Sequence, residues 1–182
     1  MMKKIFIMLL VSMLISNYTP INAAYEEPVS FTESNNYLGS VEFDINENGT
    51  KYLITANGEV VEIVCEEAQS TYANAGLRVK NKKYTVNFGA VSFSFQISTK
   101  AEQVDDETWY TRFTNVEALS VSGPLVSTQE LKQSIITEKE TASMPAKAEA
   151  YGKYTVTGLG ASTVGVVIKI KNAKVTLETY GS

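Results

Sequence analysis

Residues 84–98 read YTVNFGAVSFSFQIS, and the fold class can be inferred from their pattern. Apolar and polar side chains alternate on both sides of the pair Gly89-Ala90. The second run places four apolar side chains on one face, namely Val91, Phe93, Phe95 and Ile97. Alternation with period two is typical of half-buried β-strands, and a Gly-containing pair between two such runs indicates a turn. The stretch therefore predicts an antiparallel hairpin with one apolar face.

The same alternation recurs on both sides of this hairpin. Residues 164–171 alternate, Asn172-Ala173 makes a tight turn, and residues 175–179 continue beyond it. Residues 41–45, 51–56 and 59–65 form an N-terminal meander, in which Asn57-Gly58 predicts a type I′ hairpin turn. Further strands are expected at residues 109–113 and 116–122.

Eight or nine short strands with close turns predict an all-β fold. We expect two antiparallel sheets packed as an immunoglobulin-like β-sandwich. A barrel is the alternative, because the order of strands along the chain does not distinguish the two. Lys83-Tyr84-Thr85-Val86 recurs as Lys153-Tyr154-Thr155-Val156, which indicates either an internal duplication or the common composition of strands.

One region departs from the alternation. Ser127-Thr128-Gln129-Glu130 has the spacing of a helical capping box, which predicts a short helix near residues 127–137, with an irregular strand as the alternative. Residues 138–150 are polar and rich in Ala, Glu and Lys, and they are expected to form an exposed loop.

The N-terminus predicts export. Lys3 and Lys4 precede an 11-residue apolar run at residues 5–15, and small residues follow at Ala23 and Ala24. This order is typical of a cleavable signal peptide, and the run is shorter than the roughly 20 residues that span a bilayer. We therefore expect a signal peptide at 1–23, an extension at 24–37, a single β-sandwich domain at 38–182, and a secreted product without a stable membrane anchor.

Charge and cysteine content narrow the classes of partner. The chain carries 16 Lys and Arg against 20 Asp and Glu, a net charge of −4, and loss of Lys3 and Lys4 makes the exported form more acidic. Nucleic-acid binding is not expected, because it rests on cations that neutralise phosphates. Cys65 is the single cysteine, so no intramolecular disulfide forms, and its place on an apolar strand face predicts a buried thiol.

The chain contains no histidine. This excludes Ser-His-Asp and Cys-His nucleophiles as well as His-based metal sites. Phosphate-binding Gly-rich loops and the Ser-x-x-Lys motif are also missing from the sequence. We expect no cofactor and no enzymatic activity, and what remains for catalysis is chemistry by paired carboxylates.

Two polar clusters are candidate sites. Asp105, Asp106 and Glu107 precede Trp109 and Tyr110, and acids beside aromatic rings are what a sugar-binding or glycosidase cleft uses. A solvated loop before a strand has the same composition, and no second acidic group is identifiable as a catalytic partner.

The second cluster is Asp44, Asn46 and Asn48, which together with Gly49 match the first half of a calcium loop. The position of the bidentate Glu is occupied by Thr55, so a hairpin turn is the favoured interpretation and no metal is predicted.

The segments 41–45, 57–59 and 61–63, together with the strands over residues 84–97, resemble an uncharacterised family of small secreted proteins from Gram-positive bacteria. The resemblance covers residues 41–98 best. It implies an exported all-β domain of unknown function, and it supplies no functional residues.

Together these features predict a secreted, non-enzymatic binding module. Its partner is expected to be a protein or glycan at the cell envelope or outside the cell. A carboxylate-dependent glycan hydrolase and a secreted toxin or inhibitor are the alternatives.

Overall fold

The computed structural model describes residues 37–68 and 79–181 and contains ten β-strands. Their bounds are β1 Tyr37–Asp44, β2 Gly49–Ile54, β3 Val60–Glu67, β4 Val79–Phe88, β5 Val91–Gln103, β6 Trp109–Ser122, β7 Val126–Thr137, β8 Ala146–Val156, β9 Gly160–Lys171 and β10 Lys174–Gly181. The predicted signal peptide, and the extension up to residue 36, lie outside the described residues.

The strands form two five-stranded antiparallel sheets. The first sheet has the order β1-β10-β9-β8-β7 and the second has the order β2-β3-β4-β5-β6. Their apolar faces form a common core, which confirms the predicted two-sheet sandwich. The order of strands differs from that of an immunoglobulin domain, whose sheets contain Greek-key crossings. Here every hydrogen-bonded pair except β1 with β10 joins strands that are consecutive in the chain.

The core is built from the alternating residues that the sequence indicates. Phe93, Phe95 and Ile97 on β5 are completely buried, as is Tyr84 on β4. The ring of Tyr84 stacks on that of Phe95 with centroids 5.3 Å apart and meets the edge of Phe43 at 5.6 Å. Aromatic pairs at these distances add to the stabilisation from apolar burial alone. The hairpin over residues 84–98 is therefore a central part of the core, as predicted.

Of the two alternatives for residues 127–137, the irregular strand is confirmed and the short helix is wrong. Residues Val126–Thr137 form the edge strand β7, which pairs with β8 along its length. Glu130, predicted to complete a capping box, instead forms ion pairs with Lys132 and Lys153. Strand pairing with β8 overrides the local helical signal, which is worth little without tertiary contacts.

The predicted exposed loop at 138–150 is wrong at residues 146–150, which belong to β8, and at Glu140, which is buried. Ala146, Ala148 and Ala150 lie on β8 with fully buried side chains. Alanine is a poor strand former, so its pattern did not predict a strand. Close packing explains the small residues: a Cβ atom on Gly152, further along β8, would collide with the side chain of Val121 on β6.

The three predicted hairpin turns lie at the positions that the sequence indicates. Gly89 has φ 60°, and Asn172 and Ala173 have φ 52° and 61°, as expected of tight hairpin turns. The β2–β3 hairpin is correctly placed, but its turn is not type I′. Only Gly58 has positive φ, and its amide donates to the carbonyl of Thr55, which is a type I turn followed by a bulge glycine.

Candidate functional site

The run of acids predicted from the sequence lies at the tip of a hairpin, between β5 and β6. The described part of β4 begins at Val79, which pairs with Lys100 on β5. The hairpin continues past this level, to the pair formed by Gln103 and Trp109. We call residues 102–110 the β5–β6 tip.

Asp105 organises this tip. Its Oδ1 accepts hydrogen bonds from the main-chain amides of Thr108 at 2.7 Å and of Glu107 at 3.1 Å. The amide of Val104 donates to the carbonyl of Thr108 at 2.9 Å and closes the turn. Hydrogen bonds from Thr108 and Glu107 lower the pKa of the Asp105 carboxyl. Asp105 is therefore an ionised structural residue of the turn rather than a free acid.

The tip presents apolar surface to solvent beside its acids. Trp109 is 42% exposed and Val104 is 51% exposed. Trp109 and Tyr110 are adjacent in β6, so they point to opposite faces, Trp109 opposite Gln103 and Tyr110 opposite Glu102. The structure thus separates the two predicted aromatic residues: they do not form one stacking platform.

A cluster of ion pairs supports the tip on its outer side. Glu102 is within 3.1 Å of Lys139, 3.3 Å of Arg112 and 3.5 Å of Lys100, and Arg112 also reaches Glu138 at 3.6 Å. A hydrogen bond from Lys139, together with the charge of Arg112, lowers the pKa of Glu102. Sequence reasoning missed this cluster, because Lys139 lies 37 residues away from Glu102 and meets it only through the fold.

The calcium candidate forms a turn whose oxygens are engaged by protein groups. Asp44 Oδ1 accepts from the amide and the side-chain nitrogen of Asn46, at 2.8 and 3.1 Å. Asn48 Oδ1 accepts from the ammonium of Lys82 at 2.6 Å, and Lys82 also donates to the carbonyl of Glu47 at 3.2 Å. A buried lysine thus donates to two oxygens of this turn.

Cys65 lies in the core, as predicted, with 1% of its surface exposed. It pairs across the β3–β4 ladder with Tyr84, and its Sγ is 3.6 Å from the carbonyl of Glu47. Burial raises the pKa of the thiol. Cys65 is therefore a packing residue held in its unreactive, protonated form.

By their geometry and hydropathy alone, the described residues meet the requirements of neither a metal site nor a membrane-spanning helix. Within residues 37–68 and 79–181, no group of three or more His, Cys, Asp or Glu side chains is placed to hold a metal ion. The same part of the chain contains no helix of the length and hydropathy that crossing a membrane requires.

Comparisons with protein-family models, with curated proteins and with solved structures found no match for this chain. The resemblance to a family of exported Gram-positive proteins therefore stays a prediction.

Proposed function

We propose that this protein is an exported, non-enzymatic binding module that acts at the cell surface or outside the cell. The β5–β6 tip is its binding element, and a protein or glycan of the envelope is its partner. The observation that carries the proposal is the exposure of Trp109 and Val104 on a hairpin that extends past the described part of β4. Exposed apolar side chains at the tip of a hairpin are a common feature of interaction sites.

The supports of the tip favour binding over catalysis. Asp105 is engaged by two main-chain amides, and its lowered pKa makes it a poor proton donor near neutral pH. Glu102 is engaged by three cations. A retaining or inverting glycosidase needs one carboxyl group that stays protonated as an acid, together with a second one that acts as a base or nucleophile. These two carboxylates instead hold the hairpin in one conformation, which reduces the ordering cost of binding.

The test is a capture experiment. The protein, immobilised through its C-terminus, is incubated with culture supernatant and with purified cell-wall material. Trp109→Ala combined with Val104→Ser should reduce the captured material at least tenfold. Tyr52→Ala is the matched control, because Tyr52 is a comparably exposed aromatic on β2, outside the tip. Equal capture by the wild type and the tip variant would overturn the proposal.

A second arm addresses the enzymatic alternative. Wild type and a variant carrying Asp105→Asn, Asp106→Asn and Glu107→Gln are compared for release of soluble sugars from the same wall material. Release that depends on these three acids would replace the binding module with a hydrolase. Removal of residues 1–23 from the secreted protein, read by N-terminal sequencing, tests export.

A further inference from the structure

The two ends of the sandwich differ in composition. Because consecutive strands run antiparallel, the chain connections alternate between the ends. The end at which β1 begins carries four of them, at residues 55–59, 89–90, 123–125 and 157–159. We call it the apolar end, since Glu59 is the single ionisable residue in these four connections. The β5–β6 tip, with its three consecutive acids, lies at the opposite end.

The apolar end exposes large aliphatic side chains. Leu159 is 86% exposed and Leu125 is 69% exposed, and they lie in neighbouring connections, since the carbonyl of Leu125 accepts from the amide of Thr157 at 3.1 Å. Ile54 and Val60, cross-strand partners at the β2–β3 hairpin, are also mostly exposed. A groove of about 320 Å³ adjoins Val60 and is lined by Leu38, Glu59, Val60, Val61, Phe88 and Gly89.

The backbone around these residues is specialised. Leu125 has φ 61°, a left-handed conformation that Gly, Asn or Asp adopts far more readily than leucine. Leu159 is carried between Gly158 and Gly160, both with positive φ. The chain therefore places leucine at a turn position where stability and solubility both favour a small or polar residue. Backbone strain that improves neither stability nor solubility is a feature of functional sites.

Several main-chain amides of these turns have partners in the same turn or in a neighbouring one. Besides the bond from Thr157 to Leu125, the amide of Leu159 donates to Val156 at 2.9 Å and that of Gly58 donates to Thr55 at 2.9 Å. Main-chain groups that already have partners cost less to transfer out of water. The turns can therefore enter a less polar medium without leaving these amides unsatisfied.

We propose that the apolar end docks reversibly on a neutral lipid bilayer, with Leu125 and Leu159 inserted at the depth of the headgroups. The four connections carry no Lys or Arg, so attraction to anionic lipid contributes nothing, and apolar burial is the driving force. A specific protein interface uses polar contacts to fix the orientation of the partner. The leucines on these turn tips have one ionisable neighbour and few polar side chains, so they provide few such contacts. A fluid lipid surface requires no such match.

This inference is independent of the proposed binding role of the β5–β6 tip. Lipid docking would also orient the molecule: when the apolar end contacts the bilayer, the acidic β5–β6 tip points away from it.

The test is flotation of the purified protein with phosphatidylcholine vesicles, at low and at molar salt. Leu125→Asp combined with Leu159→Asp should lower the vesicle-bound fraction at least tenfold, and salt should not release the wild type. Aspartate is tolerated at positive φ, so this variant is expected to fold, and thermal unfolding checks it. The matched control is Ile136→Asp combined with Met144→Asp, which changes two exposed apolar residues away from the apolar end.

Each outcome decides the proposal. Loss of binding in the leucine variant, with binding retained in the control, supports it. The proposal is overturned if the wild type does not bind the vesicles. It is also overturned if the leucine variant and the control variant have the same vesicle-bound fraction, because the affinity would then belong to another part of the chain. If the wild type instead elutes as a dimer that the leucine variant disrupts, and does not float, the apolar end is a self-association face.

Discussion

The carboxylate of Glu140 accepts a hydrogen bond from the main-chain amide of Asn172 at 2.8 Å, while its other oxygen accepts from the amide of Thr111 at 2.6 Å. One side chain, 1% exposed, thus joins β6 of the second sheet to the β9–β10 turn of the first. The amide of Glu140 also donates to the carbonyl of Thr111 at 3.0 Å. The segment predicted to be an exposed loop therefore contains a buried link between the sheets.

Glu140→Gln should lower the free energy of unfolding by about 3 kcal/mol, because a carboxamide offers one acceptor oxygen to two buried amides. The measurement is urea unfolding at neutral pH. Glu138→Gln, two residues earlier and mostly exposed, should change stability by less than about 1 kcal/mol. A similar loss in both variants would contradict the assigned role of Glu140.

Gly165→Ala should be strongly destabilising, by about 2 kcal/mol or more. A Cβ atom there would collide with the ring and hydroxyl of Tyr180, which lies across Gly165 and donates to Glu149 Oε1 at 2.7 Å. Thermal unfolding measures the effect. Combining Gly165→Ala with Tyr180→Ala should give less than the sum of the two single losses, since removing the ring removes the collision with Tyr180, while the collision with the Cβ atom of Tyr151 remains. Additive losses would mean that the ring does not cause the strain.

Calcium should leave the thermal unfolding midpoint of the wild type unchanged, since Lys82 engages Asn48 Oδ1 and Asn46 engages Asp44 Oδ1. Lys82→Met should destabilise the protein by about 2 kcal/mol through the loss of its hydrogen bonds to Asn48 and to the Glu47 carbonyl. Differential scanning calorimetry with calcium, and with magnesium as the control, measures both. A rise in the midpoint specific to calcium would restore the calcium-site hypothesis.

Stability should fall on acidification, in part because of Glu102. Its pKa is lowered in the folded state, so between the folded and unfolded pKa values the unfolded chain binds more protons. The stabilisation from ionised Glu102 is fully present above the pKa that Glu102 has in the unfolded chain. It is lost as the pH falls through the lower pKa of the folded state. Urea midpoints measured across this acidic range should decline less steeply for Glu102→Gln than for the wild type. Glu66→Gln, whose exposed pair with Lys83 spans 4.0 Å, should follow the wild type.

The residues that the sequence assigned to the core are those whose alternation is strict and whose side chains are large. Phe93, Phe95 and Ile97 can bury their side chains only on one face of a strand, so the pattern alone places them. The hairpins at Gly89 and Asn172 follow from residue types that tolerate positive φ. Cys65 was placed in the core for the same reason as the aromatic residues.

The errors share a physical cause. At residues 127–137 a local capping pattern competes with pairing to β8, and the pairing wins because it satisfies the backbone over the whole strand. At residues 146–150 the alanines are poor strand formers, and they are buried on β8 through packing that depends on distant segments. Lys139 lies 37 positions from Glu102, and Glu140 lies 29 positions from Thr111 and 32 from Asn172. Local sequence patterns do not relate residues at such separations.

The all-β class, the central hairpin and the position of most turns could be predicted from the sequence, because strand alternation and turn chemistry are local properties. The strand order, the strand assignment of β7 and β8, and the pairing of charged groups became visible in the folded structure. The folded structure also shows that the exposed leucines of two separate turns share one end of the sandwich. Those features depend on contacts between distant segments, which local patterns do not encode.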